Sequence, residues 1–366
     1  MSIIEKIRNF WKKRNQKALP EAQITNEYNT NVKKNKKWIL HNAQYNQPTK
    51  LDMEIDAFLH SYSNIIENAD IMLQPINTRT MAYQALVTMT GKPVTQEEFN
   101  QNYYNEQELL EQLYNNGQYS VEQQGTRDMT TFYHVKSVGY QMPQFNDMLR
   151  VYINCNNGNI SELSNLILSY NENPNFYMKF TSNLANSAKP RGEKIVIYCD
   201  KNDIDYTLQL VQYTKSIRPD LYKESENVLP FLQSIDNTVS VSKQPITDKF
   251  IDLYGNSKTI VQSTNSFLST ILKDSYVEAA KEIARADANL SFLLQNECLN
   301  DEYLYMKNYP YINSNYHDYL IQSMKAKMSI LSINNDLYIE GLDRQYQRDV
   351  SSEERNNNQD YSEIYI

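Results

Sequence analysis

The sequence predicts an α+β fold: a helical N-terminal part, a small mixed β-sheet with helices packed on it, and a helical C-terminal part. Three features predict it. Apolar residues recur at helical spacing over 51–71, strand-like alternation takes over after Gln118, and Thr259–Gln295 returns to almost continuous helical character. The chain has 366 residues with 40% hydrophobic content, enough to bury a core. No apolar run approaches the roughly 18 residues of a membrane span, so the chain reads as soluble.

Residues 1–50 form a basic N-terminal helix and linker. The first 40 residues carry ten Lys/Arg and three Glu, a net +7 inside a chain whose total is 36 − 44 = −8. Ile3, Ile4, Ile7, Phe10 and Trp11 share one helical stripe, with the basic residues opposite. That pattern suits a helix docked with a solvated basic face, the favoured reading, or one lying on an anionic membrane surface or an acidic partner. It lacks the apolar stretch and cleavage site of a secretory signal.

A helical subdomain is expected over 51–117. Leu51, Ile55, Phe58, Leu59, Ile65 and Ile66 mark the apolar side of its first helix. Pro93 and the capping box Thr95-Gln-Glu-Glu98 open another, which runs to about Tyr114 and stops at Asn115-Asn116-Gly117.

An α+β domain follows over 118–258. Thr131–Lys136 and Met148–Asn154 alternate as strands, and Ile160–Tyr170 is an apolar helical segment. Phe176–Phe180 is a further strand, Lys194–Cys199 the strongest of all, and a helix runs from Asp200 to about Ile217. Residues 222–258 read as irregular and polar, the length of a functional loop. The helical part over 259–340 includes a helix at Tyr316–Leu331, and 341–366 is an acidic tail.

Composition removes several classes of chemistry. No two of the eight glycines are separated by a single residue, so neither a G-x-G-x-x-G fingerprint nor a phosphate loop occurs. Cys155, Cys199 and Cys298 form no C-x-x-C pair, which argues against a disulfide framework or structural zinc and for a reducing cytoplasm. His41, His60, His134 and His317 form no H-E-x-x-H or H-x-x-H, so no metal site is expected. No organic cofactor and no nucleic-acid partner is expected of this acidic chain.

One feature suggests a site. Arg150 lies mid-strand, Lys179 at the end of the next strand, Arg191 just before the strongest, and His134 and Lys136 on the preceding one. Residues 131–200 hold six Lys/Arg against five acids, near balance in an otherwise acidic chain. On neighbouring strands, two Arg forks and a Lys could grip a phosphate dianion. Equally, such cations can face solvent or pair with Glu across the sheet, and Tyr152 and Tyr198 can be half-buried packing residues.

The stretch Leu149-Arg-Val-Tyr-Ile-Asn154, a helix, Phe176-Tyr-Met-Lys-Phe180 and Arg191-Gly-Glu-Lys-Ile-Val-Ile-Tyr198 resembles the Hop-A type III effector family. That family includes the lyase proteins of class V lanthipeptide and thioamitide pathways. Its members show a strand of R-V-Y-W-N type, a helix, a strand of F-x-L-K type, and an Arg before an apolar V-L-Y-L strand. Arg150, Tyr152 and Asn154 match the first element, Lys179 the second, Arg191 and Tyr198 the third. Thr131-Phe-Tyr-His134 resembles the aromatic strand before them. The resemblance covers about 120–220.

Where the family reads T-K-P-L-A-P-G-x-G and then S-F-G-x-x-R, this chain has Leu229-Pro-Phe-Leu-Gln-Ser and Tyr254-Gly-Asn-Ser-Lys258. The resemblance implies elimination of phosphate from phosphoserine or phosphothreonine in a precursor peptide, leaving a dehydroamino acid. It implies Lys179 as base, Arg150, Arg191 and Lys136 as phosphate ligands, and His134 or Tyr152 as acid or enolate stabiliser. Asn154 and Tyr198 contact substrate, and a separate kinase-like protein phosphorylates the peptide first. A lysine beside two arginines reaches its neutral form more readily, so Lys179→Ala is expected to abolish turnover with the fold intact. The rival reading is a non-enzymatic, effector-like interaction module.

Overall fold

The capping box supplies the first test of local sequence logic. Thr95 Oγ1 accepts from Glu98 N–H at 3.2 Å, and Thr95 N–H donates to the Glu98 carboxylate at 2.8 Å. These bonds satisfy otherwise orphaned donors at a helix start. The helix they open spans Gln96–Asn116 and ends at Gly117, whose φ of 65° is the left-handed conformation a glycine tolerates.

The computed structural model describes residues 49–68, 78–126, 129–144, 147–222, 230–251, 257–261, 263–287, 289–291 and 308–330. The basic segment 1–40 and the tail 341–366 lie outside them. In chain order the elements are α1 (Lys50–Asn68), α2 (Thr78–Thr88), α3 (Gln96–Asn116), β1 (Tyr119–Thr126), β2 (Met129–Ser137), β3 (Met148–Ile153), α4 (Ile160–Ser169), β4 (Tyr177–Thr181), α5 (Asn183–Ala188) and β5 (Ile195–Asp200). Then come α6 (Ile204–Ile217), β6 (Gln233–Ser234), β7 (Val239–Lys243), β8 (Ile246–Ile251), β9 (Ser257–Val261), α7 (Thr264–Ala286) and α8 (Tyr309–Ile330).

The α+β class is as expected, with helices at both ends. Seven strands form one sheet in the order β1-β2-β4-β5-β3-β7-β6, and β8 pairs with β9 separately. Every pairing is antiparallel, where the order of elements had suggested a mixed sheet. Two further readings change. The stretch 222–258 is not a long irregular loop: Val239-Ser-Val-Ser-Lys243 is β7, hydrogen-bonded along β3. Residues 259–261 belong to β9, so the helix expected from Thr259 starts at Thr264. The helix expected at Tyr316 starts at Tyr309, and Tyr316 itself is non-helical, with φ −138° and ψ 23°.

The described residues fall into two compact units. One comprises Met53–Asp274 with the residues from Met328 on; the other comprises Ser275–Lys327 with the residues up to Asp52. In the first, alternate strand residues point to opposite faces. Tyr133 and Val135, Leu149, Val151 and Ile153, Met178 and Phe180, Ile195 and Ile197, and Val239 and Val241 face one way. They meet Leu109 and Leu113 of α3, Leu163 and Ile167 of α4, and Leu208 and Val211 of α6 in one buried cluster. Fully burying such side chains contributes about 1.5–3 kcal/mol each.

The second unit is tied by acid–hydroxyl bonds. Asp287 accepts from the Tyr311 hydroxyl at 2.8 Å and the Tyr316 hydroxyl at 2.5 Å. Glu282 accepts from Tyr319 at 3.1 Å and Ser323 at 2.9 Å, and Lys325 pairs with Asp52 at 2.9 Å. Among the described residues no helix is long and apolar enough to cross a membrane.

Candidate functional site

The face of the seven-stranded sheet away from that core carries the residues singled out from sequence. Strand register sets them in two rows. One runs Lys136–Tyr177–Tyr198–Arg150–Ser242, and the next runs His134–Lys179–Val196–Tyr152–Ser240. Asn154 continues the second parity one step beyond β3, its N–H donating to Thr238 O at 2.9 Å. Arg191 enters from the loop before β5.

The three cations converge. Lys179 Nζ lies 4.1 Å, and the Arg191 guanidinium carbon 5.2 Å, from the centroid of the Phe132 ring. The Arg150 guanidinium lies 5.0 Å from the Tyr198 ring centroid, and its Nε donates to Gln244 Oε1 at 2.8 Å. Arg150 and Lys179 are 7% and 8% exposed, unusually deep for cationic side chains.

Sequence reasoning missed the carboxylate at the centre. Glu193 Oε1 pairs with Lys179 Nζ at 2.5 Å, and Asn265 Nδ2 donates to its other oxygen at 2.5 Å. Burial pushes the Glu193 carboxyl up, but Lys179, Arg150 and Arg191 together outweigh burial and hold it below its ordinary value. In the sequence it stands in Arg191-Gly-Glu-Lys194, which reads as a turn, and nothing local marks it. Three cations thus face one anion among the described residues, leaving an excess of positive charge on buried Arg150 and Lys179 and half-buried Arg191. Arg191 Nη1 is itself buried, with no hydrogen-bond partner among the described residues.

His134 and Lys136 sit at the margin. Lys136 is committed to Glu122 at 2.8 Å, across the β1–β2 pair. Burial first, then the charges of Lys179 and Lys136, push His134 down to about 4, so the ring is neutral near pH 7. Its Nε2 lies 2.6 Å from Gln124 Oε1 and its Nδ1 2.6 Å from the Tyr177 hydroxyl. An amide oxygen only accepts, so Nε2 carries the proton and Tyr177 donates to Nδ1. Tyr177 stacks on Tyr198 at 4.2 Å, and burial raises the Tyr198 hydroxyl to about 12.

Two helix ends position these groups. Gly192 N–H donates to Val87 O at 3.2 Å, fixing the loop before β5 against the end of α2. At Gly91 a β-carbon would stand 2.2 Å from Pro190 O and 3.0 Å from Arg191 N. Only glycine allows that approach. Gly91→Ala is expected to displace the 190–192 segment, to cost about 2 kcal/mol as an overpacking change, and to weaken phosphate binding through Arg191. Thermal melting and phosphate titration of the variant check both effects. On the far side, Ser242 and Thr264 hydroxyls lie 3.2 Å apart and bring the start of α7 to the site.

No family model matches the chain, and no curated protein matches it. Among solved structures it is similar to an effector protein from Pseudomonas syringae pv. tomato strain DC3000, at 13% identity over 61% of this chain and 88% of that one, TM-score 0.39. It is also similar to an effector protein from Pseudomonas syringae pv. syringae strain 61, at 12% identity over 70% of this chain and 97% of that one, TM-score 0.40.

Proposed function

We propose that this site removes phosphate by elimination from phosphoserine or phosphothreonine in a peptide, leaving a dehydroamino acid. The observation that carries the reading is the charge imbalance of a largely buried site: Lys179, Arg150 and half-buried Arg191 against Glu193 alone among the described residues. Buried charges are ordinarily paired. A dianion supplies what is missing, and a phosphomonoester is a dianion with the oxygens an Arg fork recognises.

In this mechanism Arg150 and Arg191 take the phosphate. Lys179 serves as base for the α-proton. Glu193 Oε1, 2.5 Å from Lys179 Nζ, is the group that takes the lysine proton and frees the amine. The α-proton goes to Lys179, its bonding pair becomes the new carbon–carbon double bond, the bond from the β-carbon to oxygen breaks, and the departing phosphate takes the proton held on Glu193 and leaves as hydrogen phosphate. Tyr152 gives its hydroxyl hydrogen bond to the developing enolate in this reading. His134, neutral and donating outward to Gln124, suits support of Tyr177 better than the role of acid. A kinase-like partner would prepare the phosphorylated precursor.

Incubating the purified protein with a phosphoserine peptide tests this. The expected product has lost phosphoric acid and adds thiols at the former serine. Lys179→Arg retains the charge facing Glu193 but cannot serve as base, and is expected to lower turnover at least 100-fold. Release of phosphate with a plain serine product would establish a phosphatase and overturn the mechanism. Tight binding without turnover would establish the interaction module instead.

A further inference from the structure

Beside the cations lies a second cluster, of which the elimination uses only Tyr152. Ser240 Oγ, on β7, is fully buried and has no hydrogen-bond partner among the described residues. Asn265, the second residue of α7 and 2% exposed, gives its amide N–H to Glu193 and leaves Oδ1 without a partner. A carboxylate only accepts, so this contact fixes which end of the Asn265 amide is the acceptor. The Tyr152 hydroxyl, 2% exposed and cross-strand from Ser240, is the third such atom. Arg150 and Thr264 are the side chains that bear on its oxygen, and among the described residues it closes no hydrogen bond of normal geometry.

These atoms belong to neighbouring positions of the sheet and the helix start beside it. Tyr152 and Ser240 are register partners, Thr264 stands between Tyr152 and Ser242, and Asn265 follows Thr264. The start of α7, a helix of 23 residues, thus closes the cluster. Unpartnered buried polar atoms are rare in folded proteins, and each calls for a reason. Here the set has a definite hydrogen-bonding character: one fixed acceptor and two hydroxyls free to donate. A secondary amide is its complement, with one N–H to give and one C=O to receive.

We infer that Asn265 Oδ1, Ser240 Oγ and Tyr152 Oη form a main-chain subsite that holds the peptide group of the phosphorylated residue beside the phosphate clamp. The inference rests on the phosphopeptide reading above and adds two residues to it, Ser240 and Asn265. It also defines the substrate class more narrowly: an acylated phosphoamino acid within a chain, in preference to a free phosphoamino acid or a phosphosugar. A hydrogen bond at the carbonyl is also where charge develops as the α-proton leaves.

The probe is N-acetyl-phosphoserine N-methylamide, compared with inorganic phosphate by calorimetric titration. Wild-type protein is expected to bind the amide probe more tightly than phosphate. An ester analogue, with oxygen in place of the phosphoserine N–H, is expected to bind about tenfold more weakly, the effect of one hydrogen bond. The analogue leaves the protein unaltered, so folding cannot confuse the result. Ser240→Ala is expected to lower the ratio of probe to phosphate affinity about tenfold. It should also raise the melting temperature, because a buried hydroxyl without a partner is removed.

An ester bound as well as the amide overturns the subsite, as does a Ser240→Ala ratio equal to wild type. So does a parallel loss of probe and phosphate binding, which would assign the hydroxyl to the clamp. Wild-type protein that binds phosphate but favours the probe no further overturns the subsite alone. Failure to bind phosphate at all brings down the lyase reading, and the subsite with it.

Discussion

Replacing Lys179 with Met is expected to destabilise the protein by about 3 kcal/mol, and adding Glu193→Gln is expected to restore only part of it. The reason is the cost of a stranded charge. Lys179 and Glu193 are 8% and 4% exposed and 2.5 Å apart. Removing one member of a buried pair typically costs 3–5 kcal/mol, because the other stays behind uncompensated. Arg150 and Arg191 still face Glu193 and place the effect at the low end. With Gln at 193 the site keeps an acceptor for Asn265 and loses the stranded charge, but Arg150 and Arg191 then lack the carboxylate that faced them, so the recovery is partial. Denaturant unfolding of the two single variants and the double variant gives the coupling energy directly. Additive effects would mean that the two side chains do not depend on each other. This corrects the expectation that Lys179→Ala would leave the fold intact: the sequence shows Lys179 but not its partner, so loss of activity in that variant would mix chemistry with unfolding.

What was legible in the sequence is what is local. Thr95 and Glu98 stand three residues apart and cap a helix by themselves, and the stop at Gly117 follows from its own backbone. β3, β4 and β5 were readable because their Val, Ile and Phe face one core. Their other faces carry Arg150, Lys179 and Tyr198, which gave the strands their odd cations. β7 was missed for the same reason inverted: its site-facing residues are Ser240 and Ser242, both fully buried, and Val-Ser-Val-Ser resembles a polar linker to hydropathy alone. β1 was missed because it is an edge strand, with most of Tyr119–Thr126 exposed and no apolar alternation to read. Glu193 and Asn265 reach the site from a turn and a helix start 72 residues apart. No spacing rule connects them; only the folded register does.

The strongest pH effect on stability is expected from a group outside the site. Glu106, on α3, is 5% exposed; it accepts from the Asn183 N–H at 2.6 Å and from the Tyr133 hydroxyl at 3.4 Å. Burial raises its carboxyl from 4.5 to about 7, with these two hydrogen bonds opposing the rise only in part. A raised carboxyl means that the folded state holds a proton the unfolded chain has released. Its contribution is therefore complete below pH 4.5 and is lost as pH climbs through about 7. The full loss amounts to about 3 kcal/mol. His134 acts in the opposite sense: held neutral down to about 4, it favours the fold as pH rises towards 6.5. The two slopes overlap in wild type, so the test is a difference. Glu106→Gln keeps an acceptor for Asn183 and carries no charge. Measured against wild type from pH 5 to 9, it is expected to gain relative stability steadily and to reach an advantage of about 3 kcal/mol above pH 8. A difference that stays flat across that range would mean that Glu106 is already ionised in the folded protein and that its burial costs nothing.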